Sequence, residues 1–589
     1  MSQPNAGRAT RITDEGQDAA ELTAARIRAA RGLPGHPAGD YLVPYRNVGQ
    51  LLAMRASETP DKTFLIAYDA EGSRAEFSFR EFERRVNQLA NLMVGRLSVR
   101  RGQRVATLAH NDLLTCLIYF AAWKIGAAVA PQNTAEDDRR IAFVIDNAEA
   151  RVLFCFPEYE ARVQAIQPEL PKVDAVVVLD EAFLAEVGEQ PNSFEPVEPP
   201  YLEDECLLVY TSGTTGAPKG VVLSHYNLLV DALGISAWQG ISGNQRMMCV
   251  LPIHHVNGTI VTLITPLFVG GGIVLNRAYS SSTFWQRIAA EKVHIVSVVP
   301  TLLQFSCEYG DQRAAAGLSI WGDGVTPADL AHFRHLICGA GTLAVSLAER
   351  FERQFGFPIL HGYGLSETTC YSCFLPIDLS PEAHRAWMAD HGYPSIGCPI
   401  LPNEMAIFAA DGSGHPLGPG ERGEICIRGH NVTKGYYRRP DANAETFKFE
   451  WFRSGDEGFL QHDDRGRRFF FITGRIKELI NRGGVKFSPF DIEEELLRVP
   501  GVSVGLAVAF ENDYYGEEIG AYVVPAEGAR LEAEAIIRHC RARLGFAKSP
   551  KVVLFGREAP VTSTGKYQRL ALRDRFSDWK EVQFRENEA

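Results

Sequence analysis

The chain has 589 residues, 46% of them hydrophobic and 22% charged, with 72 acidic against 60 basic side chains and a formal net charge of -12. That length allows about four domains, and the composition is that of a globular protein with a large core. The acidic balance excludes a general attraction to nucleic acid or to an anionic membrane, so any phosphate must be held by local groups. Eleven cysteines are spread along the sequence and read as reduced intracellular thiols rather than a disulfide framework. The closest pair, Cys370 and Cys373, has no second C-x-x-C to complete a structural zinc site. The opening residues, MSQPNAGRATRITDEG, contain no apolar segment of the signal-peptide kind. The longest apolar stretch, 261–275, is too short for a membrane span and is interrupted by Pro266 and three consecutive glycines. These features predict a cytoplasmic protein with no nucleic-acid partner and no integral membrane segment.

Residues 1–40, rich in Ala, Arg, Gly and polar groups, read as a flexible, loosely attached extension with a short helix around 19–30. The globular pattern starts near Val48. Ser78 and Glu81 form an S-x-x-E capping box, and Phe82, Val86, Leu89 and Met93 follow at helical spacing. A strand over 104–108, a helix over 112–124 and the apolar segment 126–131 make a βαβ unit. A helix near 137–146 and strands over 152–156 and 173–179 continue the alternation, which predicts parallel sheets flanked by helices.

The apolar run CLLVY then leads into Tyr210 to Gly220, YTSGTTGAPKG. Here the hydroxyls of Thr211, Ser212, Thr214 and Thr215 and three glycines, Gly213, Gly216 and Gly220, surround Lys219. Glycines let a backbone turn its N–H groups toward an anion, hydroxyls donate, and an ammonium neutralises charge. The spacing is not that of the P-loop, which needs Lys-Ser or Lys-Thr after its last glycine. Buried strands are predicted over 293–299, 335–338 and 358–361, and a small β-rich subdomain over 395–440. From Asp491 the order is helix (491–498), strand (504–510), strand (519–525), helix (532–544), strand (551–555). That tail is long enough to be a domain of its own.

The string YTSGTTGAPKG resembles the signature loop of the adenylate-forming superfamily, and six further segments resemble the same family in the same order. LPIHHVNG (251–258) is similar to the segment in which acyl- and aryl-CoA synthetases carry a histidine beside the acyl pocket; the register selects His255. No aspartate of the kind that holds an amino group is visible there, which disfavours an α-amino acid substrate. CGAGTL (338–343), with Gly339, Ala340 and Gly341, and HGYGLSETT (361–369), with Gly362, Tyr363 and Gly364, resemble the adenine-binding part. In the latter, Ser366 corresponds to a donor to the α-phosphate and Glu367 to the carboxylate that holds Mg²⁺. WFRSGDEGF (451–459) supplies Asp456, which the resemblance makes the acceptor for the ribose hydroxyls. In GRIKELINRGG, Arg475 resembles the second ribose contact, Lys477 the hinge, and Gly483 with Gly484 the pair that lets CoA approach the backbone. Arg482 and Lys486 lie near enough in sequence to assist that polyanion. PVTSTGKYQRL (560–570) carries Lys566, which resembles the mobile lysine bridging substrate carboxylate and α-phosphate.

The resemblance implies an α/β fold: a large N-terminal AMP-binding domain of parallel α/β sheets with a small β-rich subdomain (41–475), then a small mobile α+β C-terminal domain (476–589). It also implies the reaction. A carboxylic acid attacks ATP with Mg²⁺, pyrophosphate leaves, and the acyl-adenylate is passed to CoA as a thioester; an acyl carrier protein, or another nucleophile, is the alternative acceptor. By register the pocket residues are Asn257, Thr259, Ile260, Gly339, His361, Gly362, Cys370 and Tyr371. Their mixture of small and polar groups suits a compact, aromatic or hydroxylated acid better than a long alkyl chain.

Overall fold

The helix Leu113–Ile125, LLTCLIYFAAWKI, is apolar all round, and a helix of that kind has no face to give to water. In the computed structural model, which describes residues 14–211, 218–561 and 567–586, it is buried between two sheets. With helix Phe79–Gly95 and helix His225–Gln239 it forms one core containing Phe64 and Ile273 from one sheet and Val105 and Val129 from the other. Its one charged side chain, Lys124, points at Glu83 at 2.9 Å, so the buried ammonium is paired.

Among the described residues the larger sheet has nine strands. Its centre is parallel: Thr63–Tyr68 pairs with Gly272–Asn276, then come Arg246–Cys249, Ile295–Val298, His335–Cys338 and Ile359–Tyr363. The other sheet has six strands in the order Ala175–Val178, Ala150–Cys155, Arg104–Leu108, Ala128–Gln132, Glu205–Thr211 and Lys219–Ser224. Only its last pair is antiparallel. The described strands on either side of residues 212–217, Glu205–Thr211 and Lys219–Ser224, are therefore antiparallel neighbours. The next helix, His225–Gln239, is closed by its own capping box, Ser224 with Asn227.

The β-rich subdomain extends further than the expected 395–440. It is a four-stranded antiparallel sheet of Asn403–Phe408, Gly423–Gly429, Phe452–His462 and Arg468–Arg475. The chain leaves it at Arg475, makes a 3₁₀ turn over Ile476–Glu478 and enters a five-stranded sheet that begins with the hairpin Ile480–Arg482 and Val485–Phe487. Helices Pro489–Leu497 and Ala533–Lys548 accompany it. No described helix is long and apolar enough to cross a membrane.

Residues 1–13 of the stretch expected to be loosely attached lie outside the described residues; for residues 14–40 the structure differs from that expectation. Residues 14–30 form a helix whose last residue, Ala30, is fully buried against the β-rich subdomain. Arg31 then pairs with Glu203 at 2.8 Å. His430 donates through Nε2 to the His36 carbonyl and accepts from Tyr226 Oη through Nδ1. Long-range polar contacts of this kind carry no local sequence signal.

Burial also sets the response to acid. It lowers the imidazoles of His225, His254 and His361 to about 4 and that of His335 to about 3. The unfolded chain takes up protons near pH 6.5 that the folded chain refuses, so stability present above that pH is lost as pH falls toward 4. Burial lowers His110 to about 3 as well. It raises Asp231 to about 8 and also raises Asp112, Asp491 and Glu494, which works in the opposite direction. The histidines, however, take up their protons in the unfolded chain within the window between pH 7.5 and 5.5 and outnumber these carboxyls. We expect the urea midpoint to fall between pH 7.5 and 5.5; a midpoint that holds or rises would refute the assignment.

Candidate active site

The parallel strands Ile295–Val298, His335–Cys338 and Ile359–Tyr363 all deliver their C-terminal loops to one cleft, the usual ligand-binding edge of an α/β sheet. The cleft has a volume of 1340 Å³ and is lined by residues of both sheets, of the β-rich subdomain and of the C-terminal α+β unit. Of the residues singled out in the sequence, it brings together Thr211, Lys219, His255, Ala340, Gly341, His361, Gly362, Tyr363, Gly364, Ser366, Glu367, Asp456, Arg475 and Lys477. Ser212, Gly213, Thr214, Thr215, Gly216 and Lys566 lie outside the described residues.

Two charged clusters face this space. In the first, Lys219 Nζ sits 4.4 Å from the centre of the Tyr436 ring, and Tyr436 Oη donates to Glu367 Oε1 at 2.8 Å. Burial lowers the Lys219 ammonium, with Glu367 opposing that effect. Tyr436, which ties the cation to the carboxylate, was not singled out in the sequence; a ring–cation contact between residues so far apart in the chain cannot be read from spacing.

In the second cluster, Asp456 and Arg475 are cross-strand neighbours. Asp456 is 2% exposed; its Oδ2 accepts from Tyr363 Oη at 2.6 Å, and Arg475 Nε lies 3.1 Å from Oδ1. The Asp456 charge raises the Arg475 guanidinium further above its usual value, and burial with Asp456 alongside raises Tyr363. Oδ1 is nonetheless buried with no geometrically sound hydrogen bond. A carboxylate oxygen in that condition is under-satisfied and is a ready acceptor for a ligand hydroxyl.

At the far end, His254 and His255 lie 4.3 Å apart, ring centre to ring centre. His361 donates through Nδ1 to the Ser395 carbonyl at 2.9 Å. Its other nitrogen is therefore a lone pair in the neutral ring.

Several expected contacts lie elsewhere. Asn257 is the first residue of a π-helical turn, Asn257–Ile264, and its side chain is used internally by Tyr371 and Ser297. Cys370 is buried behind the cleft wall. Gly339 is small for packing behind the strands, where a Cβ would lie 2.6 Å from Tyr371 Oη; Gly362 does line the cleft, and a Cβ there would lie 2.2 Å from the Phe374 ring behind it. Gly483 and Gly484 form a hairpin tip outside the cleft, both at positive φ. Arg482 is held by Glu518 at 2.7 Å and is not available to an anion.

The C-terminal unit meets the large one at this cleft. Arg569 makes a two-pronged pair with Glu493, at 2.6 and 2.7 Å, which fixes the chain just after residue 566, and Tyr567 lines the space. Helix Val345–Phe355 begins at Ala344, which has no side-chain cap; Glu494 of the C-terminal unit accepts its first amide at 3.2 Å.

A cleft completed by a large α/β body and a small α+β unit defines an enzyme whose site is shared between two domains. A model described as AMP-binding enzyme matches residues 52–437, and one described as AMP-binding enzyme C-terminal domain matches residues 491–566. The chain belongs to the AMP-binding enzyme family. It is 31% identical over 531 residues to the sulfoacetate–CoA ligase of Cupriavidus necator, covering 90% of this chain and 97% of that one. It is 32% identical over 500 residues to a feruloyl-CoA synthase of Amycolatopsis, covering 85% and 94%. Among solved structures, ATP-bound MatB from Rhodopseudomonas palustris has a TM-score of 0.79 at 25% identity, over 91% of this chain and 100% of that chain.

Proposed function

We propose that this protein is an ATP-dependent acid–thiol ligase that activates a small carboxylic acid as its adenylate, releases pyrophosphate, and transfers the acyl group to CoA. The observation that carries the reading is the pair of clusters at one cleft. A buried carboxylate with a free acceptor oxygen stands at one side, and a cation joined to a second carboxylate stands at the other.

In this reading the ribose hydroxyls donate to Asp456, with Arg475 holding that carboxylate in place, and Tyr363 stacks on the base. Lys219 and the hydroxyls of the 211–216 loop hold the phosphates. Glu367 is the residue suited to Mg²⁺, which takes one or two carboxylates plus phosphate oxygens and water; no group of three or more metal-ligating side chains occurs among the described residues. When bound, the ion neutralises charge on the phosphates. The acid's carboxylate attacks the α-phosphorus, and Lys566 stabilises the charge that gathers there. The unit from 476 onward then turns about Lys477, withdrawing Lys566 and bringing Gly483 and Gly484 toward the thiol, a hinge motion. CoA is favoured over a carrier protein as acceptor because the relatives are CoA ligases. All eleven cysteines are free thiols, which supports a cytoplasmic setting.

The test is pyrophosphate release across aryl, short polar and long-chain acids, with and without CoA, with products weighed by mass spectrometry. One acid giving a CoA thioester is the expected result. Pyrophosphate without any thioester would move the acceptor elsewhere.

A further inference from the structure

Opposite charges that share a cleft attract and, left to themselves, pair; this cleft holds a lysine and a glutamate that do not. Burial lowers the Lys219 ammonium, and Glu367 is near enough to oppose that effect. Among the described residues, however, no carboxylate stands within ion-pair distance of Lys219 Nζ.

Tyr436 lies between the two charges. Its ring presents its centre 4.4 Å from Nζ, and its hydroxyl donates to Glu367 Oε1 at 2.8 Å. Each charge is thus met by a neutral group, the cation by the electron-rich face of a ring and the carboxylate by a donor that brings no charge of its own. The other carboxylate whose charge reaches Lys219 is Asp441, and Arg439 occupies both of its oxygens, at 2.9 and 2.8 Å. Glu367 is therefore the partner that Lys219 would reach if the ring were gone.

The ring is set in place by its own stretch of chain. Lys219 belongs to the six-stranded sheet, and Glu367 lies in a turn, Ser366–Thr368, that follows a strand of the nine-stranded one. Residues 433–437 bridge them. On the lysine's side the Tyr437 amide donates to the Gly220 carbonyl at 2.7 Å, and the Val222 amide donates to the Gly435 carbonyl at 3.1 Å. On the glutamate's side the Thr433 amide donates to the Glu367 carbonyl at 2.8 Å. Asn443 grips the Tyr436 backbone twice, accepting from its amide at 2.7 Å and donating to its carbonyl at 3.1 Å.

We infer that Tyr436 is a positioning residue, a spacer that keeps Lys219 and Glu367 from pairing and so leaves the ammonium for the phosphates of the nucleotide. The inference rests on the ligase reading above, and the experiment separates the two.

ATP binding is measured by titration calorimetry in EDTA, without metal, for the full-length protein and its Tyr436→Leu, Tyr436→Phe, Glu367→Gln and Tyr436→Leu/Glu367→Gln variants. The stoichiometry reports how much of each variant is folded, so the Kd is that of folded molecules. Tyr436→Leu should weaken ATP binding about tenfold, the loss of one charge-assisted hydrogen bond to phosphate. Tyr436→Phe, which keeps the ring over Nζ, should stay within about threefold of the parent. In the Glu367→Gln background no carboxylate remains to capture the lysine, and the Leu replacement should cost less than about threefold, a coupling that a merely structural role of the tyrosine would not produce. A Leu variant that binds like the parent, equal losses in the Glu and Gln backgrounds, or a Phe variant about tenfold weaker overturns the inference and leaves the ligase reading intact. A parent that binds no ATP overturns both.

Discussion

Replacing Asp456 by alanine is expected to lower kcat/KM for ATP by about 100- to 1000-fold, the loss of charge-assisted hydrogen bonds to two ribose hydroxyls. Most of it should appear in KM, because the ribose is held alike before and during the reaction. Stability should fall as well. Arg475, whose side chain is 42% exposed, would lose the carboxylate 3.1 Å from its Nε at a cost of about 1 kcal/mol, and the buried Tyr363 hydroxyl would lose its acceptor, which adds about 1–3 kcal/mol. Asp456→Asn separates the effects: it keeps an acceptor for Tyr363 and fills the same volume, but removes the charge. We expect its melting temperature to lie between those of the parent and Asp456→Ala, with ATP affinity still much reduced. An ATP KM that does not change in either variant would show that the nucleotide lies elsewhere in the cleft.

Lys566→Ala should divide the reaction in two. Pyrophosphate release is expected to drop about 100- to 1000-fold, as when a positioned charge donor is taken from a developing anion. Thioester formation from chemically prepared acyl-adenylate and CoA should stay within about threefold, since in that half-reaction the lysine has been withdrawn. The anchor of the following chain, Arg569 on Glu493, is untouched by the change, so the C-terminal unit should still dock. Equal losses in both half-reactions would mean that Lys566 supports the fold of its domain instead of the chemistry.

Much of the fold could be read from local pattern because local physics produces it. The Ser78–Glu81 capping box is formed, each partner bonding the other's backbone, and the helix it starts buries Phe82, Val86, Leu89 and Met93. Strand His335–Cys338 was legible because a buried parallel strand is a short apolar run. What stayed hidden depends on distant partners. The division into two sheets is decided by pairings such as Thr63–Tyr68 with Gly272–Asn276, for which neither segment carries a mark. The same limit applies in the cleft. Register could bring Asn257 and Cys370 to the neighbourhood of the acid, but not tell which way they face; the π-helical turn and the bonds to Tyr371 and Ser297 turn Asn257 inward. Arg482 looked like a partner for a polyanion only because its own counter-ion, Glu518, lies on another strand.

One contact between the two units bears on how the enzyme cycles. The helix that starts at Val345 borrows its cap from Glu494 on the C-terminal unit. The proposed rotation about Lys477 breaks that bond at every turnover, and water can take over the released amide, so the tie is worth about 1 kcal/mol. By itself such a tie biases the two dispositions only about fivefold. With the Ser503 hydroxyl donating to Glu308 as a second tie of the same kind, these bonds alone hold the described disposition weakly, and on the proposed cycle occupancy of the cleft by nucleotide or thiol would select the half-reaction.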